Sequence, residues 1–337
     1  MVTAADLRLR KFLIDFIYLA RLFIIPIVFH RMTEPKRAAT YKATVNRAKE
    51  FIERHWRENL TLEQIAAHVF VSPFHFQRIF KKETGETPKE YLTRIRLEGA
   101  VQRIRVDLEK TVFEVGMECG FSSQAVFARA FRQRFGVSAT AFRNLPFSEV
   151  AKLSVWEPSI QRVFQSHMIK KVGPKERERF LESITLKRVE PVNVVYLPTT
   201  MISEKHLVDE FQKLADRASA YDVPVDVTEC FGMMFDFPLH TPLEKCRYRV
   251  CIGVSGEPVN HPKFFRTTIP GGKYAVVPVK GDIETMIQLS IMFFNLWLKD
   301  SHYQRSEHHL IERFASLPGP KTYATQVREL YIPIKPI

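Results

Sequence analysis

A chain of 337 residues is too long for one ordinary core, so two or three domains are expected, and 45% apolar residues give each enough to bury. The formal net charge of +13 and a pI near 9.6 favour a polyanionic partner, and leave nucleic acid and an anionic membrane surface both open. Cys119, Cys230, Cys246 and Cys251 form no CxxC pair and match no histidine spacing, which points to reduced, buried thiols rather than a disulfide framework. No zinc site, other metal or cofactor is expected.

The segment from Phe12 to Phe29 is apolar, but Asp15, Arg21 and Pro26 interrupt it and its length is short for a spanning helix. Residues 1–40 are read as an N-terminal extension outside the fold, with Met32 as an alternative start and no membrane partner expected. Val45, Ala48, Ile52 and His55 then share one helical face and predict a helix that leads into the segment beginning at Thr61.

Between Thr61 and Phe142 one pattern runs twice, about fifty residues apart. Thr61-Leu-Glu-Gln64 and Thr111-Val-Phe-Glu114 are capping boxes opening short helices, and Ser72-Pro73 and Ser123 start a second helix in each copy. Gly85 and Gly136 stand where a left-handed residue would stop those helices. Two short helices crossing steeply need a small residue at the crossing and an apolar plug before the second cap. Ala66 and Gly116 are the small residues, Val71 and Phe121 the plugs, and Phe80 and Phe131 the anchors. This is helix-turn-helix grammar, and its duplication points to DNA. Phe70 stands where Gly120 makes the turn of the second copy, and because a left-handed Phe is strained, a different backbone is expected for the first turn. Thr87-Pro-Lys-Glu90 is a third capping box, opening a helix to about Val106 that joins the copies through Tyr91, Leu92, Ile95, Ala100, Val101 and Ile104.

After Arg143, prolines and the charged run from Lys170 to Arg179 mark 148–184 as a connector. From Leu186 the composition favours strands: Val192–Leu197, a helix over Glu204–Ala220, then Cys230–Phe237 and Tyr248–Val254. A second round comes next, with a strand over Gly271–Val279, a helix capped by Asp282 and reaching Trp297, and strands around Glu312 and Val327–Ile334. The order β-α-β-β appears twice, predicting an α+β domain of two pseudo-symmetric halves over 185–337.

The segments Ser72-Pro-Phe-His-Phe-Gln-Arg-Ile-Phe80 and Gly120-Phe-Ser-Ser-Gln-Ala-Val-Phe-Ala-Arg-Ala-Phe131 resemble the DNA-binding domain of AraC-family transcription regulators, over about 41–147. Pro270-Gly-Gly-Lys-Tyr274, Trp297, Glu312-Arg-Phe314 and Glu329-Leu-Tyr-Ile-Pro333 resemble the GyrI-like effector-binding domain, although Arg313 and Phe314 replace the Glu-x-Tyr such domains often carry. The resemblance implies a multidomain chain: an all-α double helix-turn-helix domain followed by an α+β GyrI-like domain, the order seen in the Rob-like branch of the family.

It also implies a cytoplasmic, sequence-specific transcription regulator with no catalytic residues, whose partners are double-stranded DNA, a cationic or aromatic small-molecule effector and RNA polymerase. A GyrI-like hydrolase, or a gyrase-inhibitor-type interaction module tethered to DNA, is the alternative. A helix in the major groove meets base edges through its N-terminal turns, which nominates Phe74, His75, Gln77 and Arg78, and in the second copy Gln124, Ala125 and Arg129. Lys81, Lys82, Arg132 and Arg134 are candidates for phosphate neutralisation. In the effector half, Glu312 is the expected negative pole, with Tyr248, Tyr274, Phe293 and Trp297 as aromatic walls. Arg313, next to Glu312 on a strand, points to the other face and is not its partner.

Overall fold

The computed structural model describes residues 34–105, 107, 109–145, 150, 153, 173–238, 241–254 and 264–337; the expected extension up to residue 33 and most of the 148–184 connector lie outside them. Helix α1 (Glu34–His55) buries Val45, Ala48 and Ile52. Helix α2 (Leu62–His68) opens on the capping box: Gln64 N–H donates to Thr61 Oγ1 at 3.3 Å, and Thr61 N–H donates to Gln64 Oε1 at 2.8 Å. Helix α3 (Pro73–Thr84) starts after Ser72, whose hydroxyl makes no capping bond; Pro73, with φ preset for a helix, fixes the start instead.

Helix α4 (Pro88–Ile104) begins with reciprocal Thr87–Glu90 bonds and ends two residues short of Val106. Helices α5 (Val112–Glu118) and α6 (Gln124–Phe135) repeat the scheme, with the Thr111–Glu114 box and Ser123 Oγ accepting from Val126 N–H at 3.3 Å. Gly85 and Gly136 end α3 and α6 at φ +76° and +74°, and α7 (Ala139–Asn144) comes after them.

The expectation for the first turn is corrected. Phe70 is left-handed, at φ +60°, like Gly120 at φ +84°. The hydrogen bonds of the two turns explain why: Phe70 N–H and Val71 N–H donate to Ala67 O and Ala66 O, as Gly120 N–H and Phe121 N–H donate to Met117 O and Gly116 O. Crossing the helices requires that backbone, and the Phe70 side chain, 52% exposed, avoids a clash by standing in solvent.

The described residues form two compact units, the first those up to Leu97 with Gly116–Phe127, the second Glu98–Val115 with those from Ala128 onward. The first unit's core packs Val45, Ala48, Ile52, Ile65, Ala66, Phe76, Phe80 and Tyr91 together. Gly116 is required in the same unit, since a Cβ there would meet the Phe127 ring at 2.6 Å. In the second unit, Phe131, Phe135 and Phe142 pack edge-on or tilted with centroids 4.6–5.7 Å apart.

The second unit also contains helix α8 (Pro174–Ser183) and an antiparallel sheet. Its strands are β1 (Thr185–Val189), β2 (Val192–Thr200), β3 (Val225–Met234), β4 (Arg247–Val254), β5 (Phe265–Ile269), β6 (Gly272–Val279), β7 (Tyr303–Arg305), β8 (Leu310–Phe314) and β9 (Arg328–Pro336). The order is β1-β6-β9-β8-β3-β4-β2-β5, with β7 paired to β9 off this path. Helices α9 (Glu204–Ala220) and α10 (Ile283–Met292) complete the halves β2-α9-β3-β4 and β6-α10-β8-β9, which meet where β3 pairs with β8. Asp282 caps α10 as expected, but from Phe293 to Leu298 the chain continues as a π-helical turn rather than as α-helix to Trp297.

Candidate functional site

On α3 the residues alternate by helical period between core and solvent. Phe76, Ile79 and Phe80 are buried, while Phe74, Gln77, Arg78 and Lys81 form an i, i+3, i+4, i+7 stripe that is exposed throughout, Phe74 by 81%. Lys82 is exposed beside the stripe. His75 is different: it is partly buried, edge-on to Tyr41 at 5.6 Å, and its Nδ1 accepts from Arg78 Nη2 at 3.4 Å. Burial first, and Arg78 second, hold His75 below the usual histidine range, so at neutral pH the ring is an uncharged acceptor that orients Arg78. On α6, Gln124, Ala125, Arg129 and Arg132 are exposed opposite buried Phe127, Phe131 and Phe135, and Arg134 is half-buried. Each helix thus presents polar and cationic side chains on a rigid aromatic base, an arrangement that can enter a major groove.

The sheet carries the other candidate site. Glu312 on β8 is fully buried, and Tyr248 Oη donates to its Oε2 at 2.8 Å. That bond spans a strand, and Gly232 on β3 makes it possible: a Cβ there would stand 1.5 Å from Tyr248 Oη. On the other side Arg328 Nη1 lies 2.8 Å from Glu312 Oε1, and neither side chain has measurable exposure. Arg328 is anchored by Nη2, which donates to Gly281 O at 2.6 Å, and its guanidinium lies 4.4 Å from the centroid of the Tyr323 ring. Burial pushes the Glu312 carboxyl above the usual carboxylate range, and Arg328 and Tyr248 pull it back. Such a pair is held by mutual neutralisation: removing one partner of a buried pair costs ~3–5 kcal/mol, mostly through the charge left behind.

The register shows how the halves build this group. Gly232 pairs with Glu312 across the junction, Tyr248 stands two residues before Val250, the partner of Gly232, and Arg328 stands two residues before Leu330, the partner of Glu312. Gly232 and Glu312 therefore occupy equivalent places, as do Tyr248 and Arg328.

Tyr274 does not join them, and its assignment as a wall beside Glu312 is corrected. It packs with Tyr331, Val276 and Ile311, the neighbour of Glu312 on the opposite sheet face, because Val276 on its strand pairs with Tyr331 whereas Glu312 pairs with Leu330. Its hydroxyl donates to Pro270 O, and burial pushes it up to about 12. Phe293 and Trp297 stack at 5.0 Å, and Trp297 on Tyr303 at 5.9 Å.

Arg328, Tyr323 and Gly232 were missed from sequence. Only Arg328 had a usable signal, a charge at the head of the apolar run Leu330–Ile334 with the side-chain parity of buried Leu330 and Ile332. Among the described residues no group of three or more His, Cys, Asp or Glu could hold a metal ion, and no helix is long and apolar enough to cross a membrane.

Comparison with known proteins finds two separate matches along the chain. Residues 65–145 match a helix-turn-helix domain family, and residues 182–335 match the GyrI-like small molecule binding domain. A probable transcriptional regulator, LumQ, from Photobacterium leiognathi is 34% identical over 93 residues, covering 28% of this chain and 37% of LumQ. The HTH-type transcriptional regulator ArgR of Pseudomonas aeruginosa is 33% identical over 114 residues, 34% of each chain. The chain thus spans about a third of the length of these relatives. A solved transcriptional regulator with an AraC-type DNA-binding domain, from Chromobacterium violaceum, is 30% identical, covering 31% of this chain and 93% of that one, with a TM-score of 0.29.

Proposed function

We infer that this chain, which joins a helix-turn-helix domain to a GyrI-like small molecule binding domain, is an AraC-type regulator that controls transcription by reading duplex DNA through α3 and α6 in response to a small effector. The observation that carries the DNA reading is an exposed face on both helices: Phe74, Gln77 and Arg78 on one, Gln124, Ala125 and Arg129 on its copy, each above a buried phenylalanine core. Arg78 is the principal base reader, a guanidinium held by His75 at the start of α3, where a bidentate contact to guanine is worth ~1–3 kcal/mol of discrimination. Lys81, Lys82 and Arg132 neutralise phosphates, a sequence-blind and salt-sensitive role. Residues 41–147 form the DNA-binding region, 148–184 the connector, and the effector is received around Glu312 and Tyr248.

The test is binding-site selection from a random duplex pool with the full chain, followed by competition with point-substituted sites. Arg78→Ala relaxes the preference at one base pair, whereas Lys82→Ala weakens all sequences alike and lowers the slope of log K against log salt by about one unit. Equal, sequence-independent losses for both variants would remove Arg78 as a reader.

A further inference from the structure

A cation bound beside Glu312 would need the carboxylate on one side and aromatic faces on the others, and the protein fills that position itself. The Arg328 guanidinium lies 2.8 Å from Glu312 Oε1, 4.4 Å from the Tyr323 centroid and 5.8 Å from that of Phe314. These are the contacts that make a desolvated cation favourable, and they are already taken.

The approach is close but not aligned as a hydrogen bond: among the described residues Glu312 Oε1 and Arg328 Nη1 and Nε find no partner of hydrogen-bond geometry. Orientation comes instead from opposite ends: Gly281 O holds Arg328 Nη2, and Tyr248 holds Glu312 Oε2. The guanidinium is therefore held by the loop before α10 as well as by the carboxylate it neutralises. A second cation entering here would meet a fixed like charge in a desolvated interior, where repulsion is strongest.

We propose that Arg328 is a built-in occupant of the cation position of the effector site, so that the domain excludes cationic effectors and admits uncharged or anionic ones. This rests on the reading that the effector is received around Glu312. It makes Arg328 the residue that sets the charge class of the ligand.

Tetraphenylphosphonium and tetraphenylborate, alike in size and shape and opposite in charge, are the probes, titrated calorimetrically into the full chain. Wild type shows no preference for the phosphonium over the borate. Arg328→Met, which keeps bulk and removes charge, binds the phosphonium at least tenfold more tightly than wild type and gains nothing for the borate. Glu312→Gln/Arg328→Met, which leaves no buried charge unpaired, loses that gain. If Arg328→Met is unstable, phosphonium should raise its melting temperature while leaving that of the double variant unchanged; no such rise overturns the proposal. Wild type binding the phosphonium as tightly as Arg328→Met overturns the role of Arg328 while leaving the site around Glu312 standing. Binding of either probe that is unchanged in every variant overturns the placement of the effector site itself.

Discussion

Replacing Gly232 by alanine should destabilise the sheet even though alanine is the better strand residue by ~0.5–1 kcal/mol. The added Cβ would stand 1.5 Å from Tyr248 Oη and 2.1 Å from its Cζ, too close for any adjustment of the ring in place. Tyr248 is 1% exposed, so it moves only by disturbing packed neighbours, at ~1–3 kcal/mol for overpacking. Moving also breaks the 2.8 Å bond to Glu312, and a hydrogen bond to a charged group contributes ~1.5–3 kcal/mol. The two add to roughly 2.5–6 kcal/mol, well above the gain in strand propensity. Tyr248→Phe forfeits only the second part. Hydrogen exchange of amides in β3 and β8 of the full chain measures this locally, which matters because unfolding of a multidomain chain is not two-state. A 3 kcal/mol loss appears as exchange faster by more than about a hundredfold. The order of protection should be wild type, then Tyr248→Phe, then Gly232→Ala; exchange in Gly232→Ala at or below the wild-type rate would refute the close approach of Tyr248 to β3.

The two turns should respond oppositely to exchange of their residues: Phe70→Gly relieves left-handed strain of ~1–2 kcal/mol, whereas Gly120→Ala places a Cβ 2.8 Å from Arg57 O and 2.9 Å from Arg96 Nε. Chemical denaturation read from helical circular dichroism should therefore show Gly120→Ala more damaging than Gly85→Ala or Gly136→Ala, where a Cβ meets nothing. Acid should weaken the second unit through His309, whose ring lies 4.1 Å from Phe235 and is pushed down to about 3 by burial and then by Arg249, Arg247 and Arg305. Because that value lies below the unfolded one, the unfolded chain takes the proton first: the contribution is intact above pH 6.5 and lost as pH falls from there towards 3, by up to ~1.4 kcal/mol per unit. His309→Phe should flatten thermal stability over that range, and an unchanged slope would show that the ring is not the group titrating.

What could be read from sequence was what neighbours along the chain decide. The capping boxes at Thr61, Thr87 and Thr111 and the stops at Gly85 and Gly136 involve residues within a turn of one another, and all are present. The doubled β-α-β-β order was legible because α9 and α10 are framed by strands of apolar runs. Strands β1 and β5 were not, being short edges with polar alternation, as in the pattern Thr185-Leu-Lys-Arg-Val189. The conformation of Phe70 depends on bonds to Ala66 and Ala67 that override its own preference. The partner of Glu312 stands sixteen residues downstream on another strand, and the face occupied by Tyr274 is set by register between strands; neither is written in local spacing.

The pairing of Gly232 with Glu312 at the junction of the halves bears on how a doubled fold could arise. Had both halves kept a carboxylate there, the two would face each other as direct cross-strand neighbours, with Cβ atoms about 5 Å apart. Two carboxylates that near in a dry interior cannot both ionise, and one would carry a proton or force the strands apart. Glycine in one half removes that conflict and, with the same substitution, opens the gap through which Tyr248 crosses. The difference between the halves at this one junction thus replaces a self-repelling symmetric pair with one carboxylate served by both halves, with tyrosine from one and arginine from the other at equivalent positions.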